Sequence, residues 1–137
     1  MKLLIELPTW LGDTVMATPA IENLVGHFDN VKITLLGSLA SVEALKTHPK
    51  VVQTYVFDKN YSDFYKIFME FEEFDVYFSF RNSLRAKLIK FCISSKIKHQ
   101  FAKKKYSKGH QVEKYNNFIN DSLNINNAAG RLALHNT

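Results

Sequence analysis

The chain has 137 residues, 46% of them hydrophobic and 13% aromatic, which is enough apolar material for one domain with a buried core. A lone cysteine, Cys92, excludes an internal disulfide, and the apolar run at the start is interrupted at Glu6, too soon for a signal peptide or a spanning helix; a reducing, cytoplasmic setting is expected. The net charge of +5 conceals a division: residues 1–80 carry 6 Lys/Arg against 11 Asp/Glu, and residues 81–137 carry 12 against 2, so the second part is expected to face something anionic.

In chain order, residues 2–7 read as a buried strand stopped by Pro8, followed by a turn. From Asp13, a suitable N-cap, Val15, Met16, Ile21, Leu24 and Val25 recur at helical spacing; Pro19 predicts a kink, or a later start capped by Thr18. Strands are predicted over 31–36, 51–57, 74–80 and 97–101, and helices over 41–47, 61–73, 83–93 and 111–123. In the helix over 83–93, Leu84, Leu88, Ile89 and Cys92 are expected inward, and Arg85, Lys87 and Lys90 outward. The Asn-rich end shows no clear element before residues 131–134, so residues 1–124 are read as the domain and 125–137 as a tail or interdomain segment. Strands alternating with helices give an α/β fold: an open, mostly parallel sheet with helices on both faces.

Ligands of such sheets sit at the carboxyl ends of the strands, so the loops over 8–14 and 81–83 matter most. The first has neither a Gly-x-Gly-x-x-Gly pattern nor a P-loop, which argues against a dinucleotide or nucleoside triphosphate there. It offers Trp10, Gly12, Asp13 and Thr14; the plain alternative is a glycine turn with Asp13 as a helix cap. In the second, Arg81 and Arg85, four residues apart, could clasp phosphates or carboxylates, with Asn82 and Ser83 as ligand groups or ordinary caps. Lys103, Lys104, Lys105 and Lys108 form the densest charge run, either a solvated loop or a contact for an anionic acceptor or membrane surface. His27, His48, His99, His110 and His135 lack metal-ligand spacing, and no metal site is expected.

The stretch Leu7-Pro8-Thr9-Trp10-Leu11-Gly12-Asp13, with Pro19-Ala20-Ile21 downstream, resembles the opening signature of glycosyltransferase family 9, the ADP-heptose:lipopolysaccharide heptosyltransferases. Phe80-Arg81-Asn82-Ser83-Leu84-Arg85 is similar to that family's loop and helix after the fourth strand, and His110-Gln111-Val112-Glu113-Lys114-Tyr115 to a later helix. The Pro-Thr-Trp-Leu-Gly-Asp form is closer to the enzymes that add the second heptose. The resemblance implies the N-terminal, acceptor-side half of a GT-B enzyme. Its donor, ADP-heptose, would be bound mainly by a C-terminal domain absent from these residues. No cofactor or metal is implied.

Asp13 would be the catalytic base. Trp10, Gly12, Thr14, Arg81, Asn82, Ser83, Arg85 and Lys105 would meet a lipid-linked, anionic acceptor, the lipopolysaccharide inner core. Peripheral contact with the inner membrane is compatible with this, and nucleic acid is not expected as a partner. A carboxylate at a helix N-terminus is stabilised in its ionised form and is thereby a weak base, so closure of the cleft is expected to dehydrate Asp13 and raise its basicity. The isolated chain is expected to show no transfer. The competing reading is a non-catalytic module that binds polyanions through its basic second part.

Overall fold

The structure, a computed structural model, describes residues 1–57, 61–102 and 109–130, without the side chains of residues 61–64, 84 and 85. Five strands, β1 (Lys2–Glu6), β2 (Lys32–Gly37), β3 (Val51–Val56), β4 (Phe74–Ser79) and β5 (Ser95–Gln100), alternate with five helices. The helices are α1 (Leu11–His27), α2 (Leu39–Leu45), α3 (Tyr61–Glu70), α4 (Leu84–Cys92) and α5 (Gln111–Leu123). All four strand pairings are parallel and the order is β3-β2-β1-β4-β5, so β1 is central. A strand buried on both faces has no need to alternate, which is why Leu3, Leu4, Ile5 and Leu7 are all inaccessible to solvent.

One face of the sheet presents Leu3, Ile5, Ile33, Leu35, Val76 and Phe78 to Ala17, Ile21 and Leu24 of α1, Val42 and Leu45 of α2, and Tyr115, Phe118 and Ile119 of α5. Phe80, Phe101, Tyr115 and Phe118 meet edge to face in this layer, with ring centroids 5.1–5.7 Å apart. The other face presents Leu4, Leu36 and Tyr77 to Ile89 of α4, to Ile93 just beyond it, and to Ile67 and Phe68 of α3.

Three expectations for helices are corrected. α1 begins at Leu11, with Trp10 in the N-cap position, so Asp13 is the third helical residue and not the cap. The helix then runs through Pro19 and does not start there. Proline has no N–H to give the carbonyl four residues back; the Thr18 hydroxyl donates to that carbonyl, on Val15, at 2.7 Å and satisfies it. In α4 the inward residues are Ala86 and Ile89, continued by Ile93, which turns Leu88 and Cys92 outward. The small Ala86 lets the helix lie close to the sheet, and its phase sets the rest.

Residues 125–130 are not detached. Nδ2 of Asn116 and of Asn120 both donate to the Asn127 carbonyl at 2.8 Å, the Asn127 N–H donates back to Asn120 Oδ1 at 3.2 Å, and Asn23 on α1 donates to the Ala128 carbonyl at 3.1 Å. Asn124 ends α5 in the left-handed conformation, φ 56°, which asparagine tolerates well. The segment expected over residues 131–134 lies outside the described residues.

Candidate active site

The chain moves outward from β1 through β2 to β3 and then returns to the other side of β1 with β4, so the switch point of the sheet lies between the carboxyl ends of β1 and β4. The turns leaving these two strands, 7–10 and 80–83, are the two that sequence reasoning singled out. Backbone bonds carry the ladder past the strand ends: Phe80 N–H donates to the Glu6 carbonyl at 2.9 Å, and Leu7 N–H to the Leu36 carbonyl at 2.8 Å.

The β1–α1 turn is fastened from below. Thr14 donates to Ser41 Oγ at 2.8 Å, Ser41 donates to the Pro8 carbonyl at 2.8 Å, and Ser38 donates to the Thr9 carbonyl at 2.9 Å. Thr14, expected to face a ligand, is fully buried and directs its hydroxyl into this network; β-branched and inward-facing, it fixes the loop instead. Above the fastening, Trp10 is 72% exposed and makes no side-chain cap, and a Cβ added to Gly12 would meet no atom within 4 Å. Gly12 has helical geometry and is required neither by a turn nor by the packing of this chain.

Asp13 is half-buried, and its charge is felt at Tyr115 on α5. Burial first, and then the Asp13 carboxylate, push the Tyr115 phenol up to about 12. Sequence reasoning placed Tyr115 on the helix over 111–123 and gave it no part in the site. It does pack on Phe80 and Phe101, but its hydroxyl also lies within the field of Asp13.

The β4–α4 turn is organised around a group the sequence did not flag, Glu6, which is 1% exposed at the end of the central strand. Its Oε1 accepts from Ser79 Oγ at 2.6 Å and Tyr77 Oη at 3.0 Å, and Arg81 places a guanidinium nitrogen 3.8 Å from Oε2. Burial, reinforced by the Glu6 carboxylate, holds the Tyr77 phenol well above its ordinary range. Arg81 is thus the countercharge of a buried carboxylate, with 17% of its side chain accessible. Ser83 is the N-cap of α4, accepting from the Ala86 N–H at 3.0 Å, and Asn82 beside it is exposed. The side chain of Arg85, and Lys103, Lys104, Lys105 and Lys108 altogether, lie outside the described residues. Among the described residues, no three His, Cys, Asp or Glu side chains gather as metal ligands would.

No protein-family model matches the chain. Over 128 residues it is 38% identical to lipooligosaccharide heptosyltransferase 2 of Campylobacter jejuni subsp. jejuni serotype O:2, and over 129 residues 37% identical to its counterpart in serotype O:6. The chain is similar in sequence to heptosyltransferases. Each alignment takes in 91% of this chain and 40% of the relative, so the chain spans about two fifths of the length of the curated relatives it matches.

Among solved structures it superposes on an E. coli heptosyltransferase with ADP, with a TM-score of 0.77 at 14% identity over 96% of this chain and 50% of that one. A glycosyl transferase family 9 protein from Veillonella parvula DSM 2008 gives 0.78 at 16% identity over 98% of this chain and 44% of that one. E. coli ADP-heptose lps heptosyltransferase II gives 0.70 at 15% identity over all of this chain and 47% of that one. The open parallel sheet expected from the sequence is the one seen, and the chain corresponds to about half of each of these solved chains.

Proposed function

We propose that the chain is the acceptor-side half of an inverting heptosyltransferase, with Asp13 as the base. The observation that carries this reading is the 38% identity to a heptosyltransferase, combined with the position of Gly12 and Asp13 at the switch point of the sheet. Asp13 takes the proton of an acceptor hydroxyl as that oxygen bonds to the anomeric carbon of the heptose, and ADP departs from the opposite side of that carbon. The open space over Gly12 lets the acceptor approach the backbone, and the exposed indole of Trp10 gives a sugar a face to lie against. The donor reading rests on relatives solved with ADP and with ADP-2-deoxy-2-fluoro heptose. The acceptor is read as the anionic inner core of lipopolysaccharide, and the reaction as cytoplasmic.

The test is heptose transfer by a protein of the relatives' full length that carries this chain. Asp13→Asn is expected to lower turnover by roughly 10²–10⁴-fold with folding intact, the range of a positioned general base. Turnover within a few-fold of the parent would overturn the assignment. In the 137-residue chain, Trp10 is the only tryptophan, so its fluorescence should respond to a lipopolysaccharide core fragment. Salt-sensitive binding of any polyanion, with Trp10 silent, would favour the binding-module reading, to which the basic second part of the chain lends itself.

A further inference from the structure

α4 has apolar residues on both of its faces. Ala86 and Ile89 are buried against the sheet, while on the outside Phe91 is 85% exposed and Leu88 54% exposed, with Cys92 exposed beside them. Large apolar side chains grouped on an exposed face mark a candidate docking surface. This outer face adjoins an open groove between α4 and the edge strand β5, lined by Lys87, Lys90, Phe91, Lys98 and Gln100. Lys98 reaches across to the Lys90 carbonyl at 2.8 Å, and Nε2 of Gln100 is buried without a hydrogen-bond partner.

The charge around the patch is of one sign. The charged side chains that line the groove, Lys87, Lys90 and Lys98, are all lysines. The acid on the adjoining strand, Asp75, is already engaged by Lys96 at 3.4 Å and by the Lys2 N–H at 2.8 Å. A second copy of the chain is a poor cover, because pairing this face with itself would set its lysines against each other. The complement is a surface that is apolar within and anionic at its boundary. We propose that the outer face of α4 docks on an anionic lipid bilayer, with Leu88 and Phe91 among the headgroups and Lys87, Lys90 and Lys98 against their phosphates. Apolar anchors ringed by lysine are the features that hold a helix in the membrane interface. This inference does not rest on the transferase reading, since it needs neither Asp13 nor an acceptor.

The test is sedimentation of the 137-residue chain with vesicles of equimolar phosphatidylglycerol and phosphatidylcholine, against vesicles of phosphatidylcholine alone. Binding is expected to the anionic vesicles. The double variant Leu88→Ser, Phe91→Ser should weaken it by about tenfold or more, from the loss of apolar burial. Lys87→Gln and Lys90→Gln should each weaken it by about fivefold. These side chains are largely on the surface, so the variants should fold. Cys92 is the only cysteine, and an environment-sensitive fluorophore attached there should shift to the blue on the anionic vesicles.

The proposal fails if the chain does not sediment, or if the double serine variant binds as well as the parent, which would leave attachment to lysines alone. It also fails if the Cys92 label does not respond while the chain sediments. Preferential binding of a single-stranded oligonucleotide through Phe91, or a dimer that the serine variant dissociates, would assign the face to another occupant.

Discussion

The two turns at the switch point are built in opposite ways. The β4–α4 turn is closed on itself: Ser83 caps the helix, and Arg81 answers a carboxylate buried beneath it. The β1–α1 turn is tied down from below through Thr14, Ser38 and Ser41 but left open above, with an uncapped first turn, an exposed Trp10 and empty space over Gly12. The difference teaches where to look for each kind of effect. Changes in the closed turn should act on stability, and changes in the open one should act on what the chain meets.

The largest expected effect is in the closed turn. Glu6→Ala removes the shared acceptor of Tyr77 and Ser79 and strands Arg81, and should lower unfolding free energy in a urea titration by ~3–5 kcal/mol, the range for breaking a buried pair. A loss below ~1 kcal/mol would mean that the network does not hold the turn. Alkaline unfolding provides the next comparison. With the Tyr115 phenol at about 12 in the fold against an ordinary 10, its contribution to stability is complete below pH 10 and is lost as pH rises to 12, where the unfolded chain gives up the proton first. Tyr115→Phe should therefore lose less stability than the parent across that window, as followed by circular dichroism; identical curves would separate Tyr115 from the effect.

Ser83→Ala should cost about 1 kcal/mol as a lost cap, whereas Trp10→Ala, in the corresponding position of α1, should stay within about 0.5 kcal/mol. Equal costs would erase the distinction between the turns. The smallest expected effect has the opposite sign: Gly12→Ala should stabilise by about 0.5 kcal/mol, because a helical glycine with open space above it gains from a methyl group. If that variant also transfers heptose less well in a full-length protein, the space is kept for something other than folding.

The elements were legible because the central strand and the amphipathic helices state their periods locally; α5 follows the sequence expectation from Gln111 to Leu123. The start of α1 was not. Asp13 has the chemistry of a cap, but bonds from Ser38 and Ser41, more than twenty residues away, fix the preceding loop, and the helix opens three residues earlier, after Trp10. Glu6 was read as a break in an apolar run because its partners, Tyr77, Ser79 and Arg81, come from β4 and the turn after it, more than 70 residues away. The outer face of α4 misled for a related reason: leucine is the more probable core residue in isolation, yet the alanine in this helix is the one that fits under it. Thr18 and Pro19 show that a breaker can be read correctly and still be overruled when its neighbour supplies the missing donor.

The attachment of residues 125–130 has one more implication. It is made entirely of amides: side chains of Asn23, Asn116 and Asn120 against backbone of Asn127 and Ala128. None of these groups titrates between acid and alkali, and none pairs with a counterion. The clasp is therefore indifferent to proton and salt concentration. It should keep this segment seated on α1 and α5 through changes of medium that would rearrange the lysine-rich surface elsewhere on the molecule.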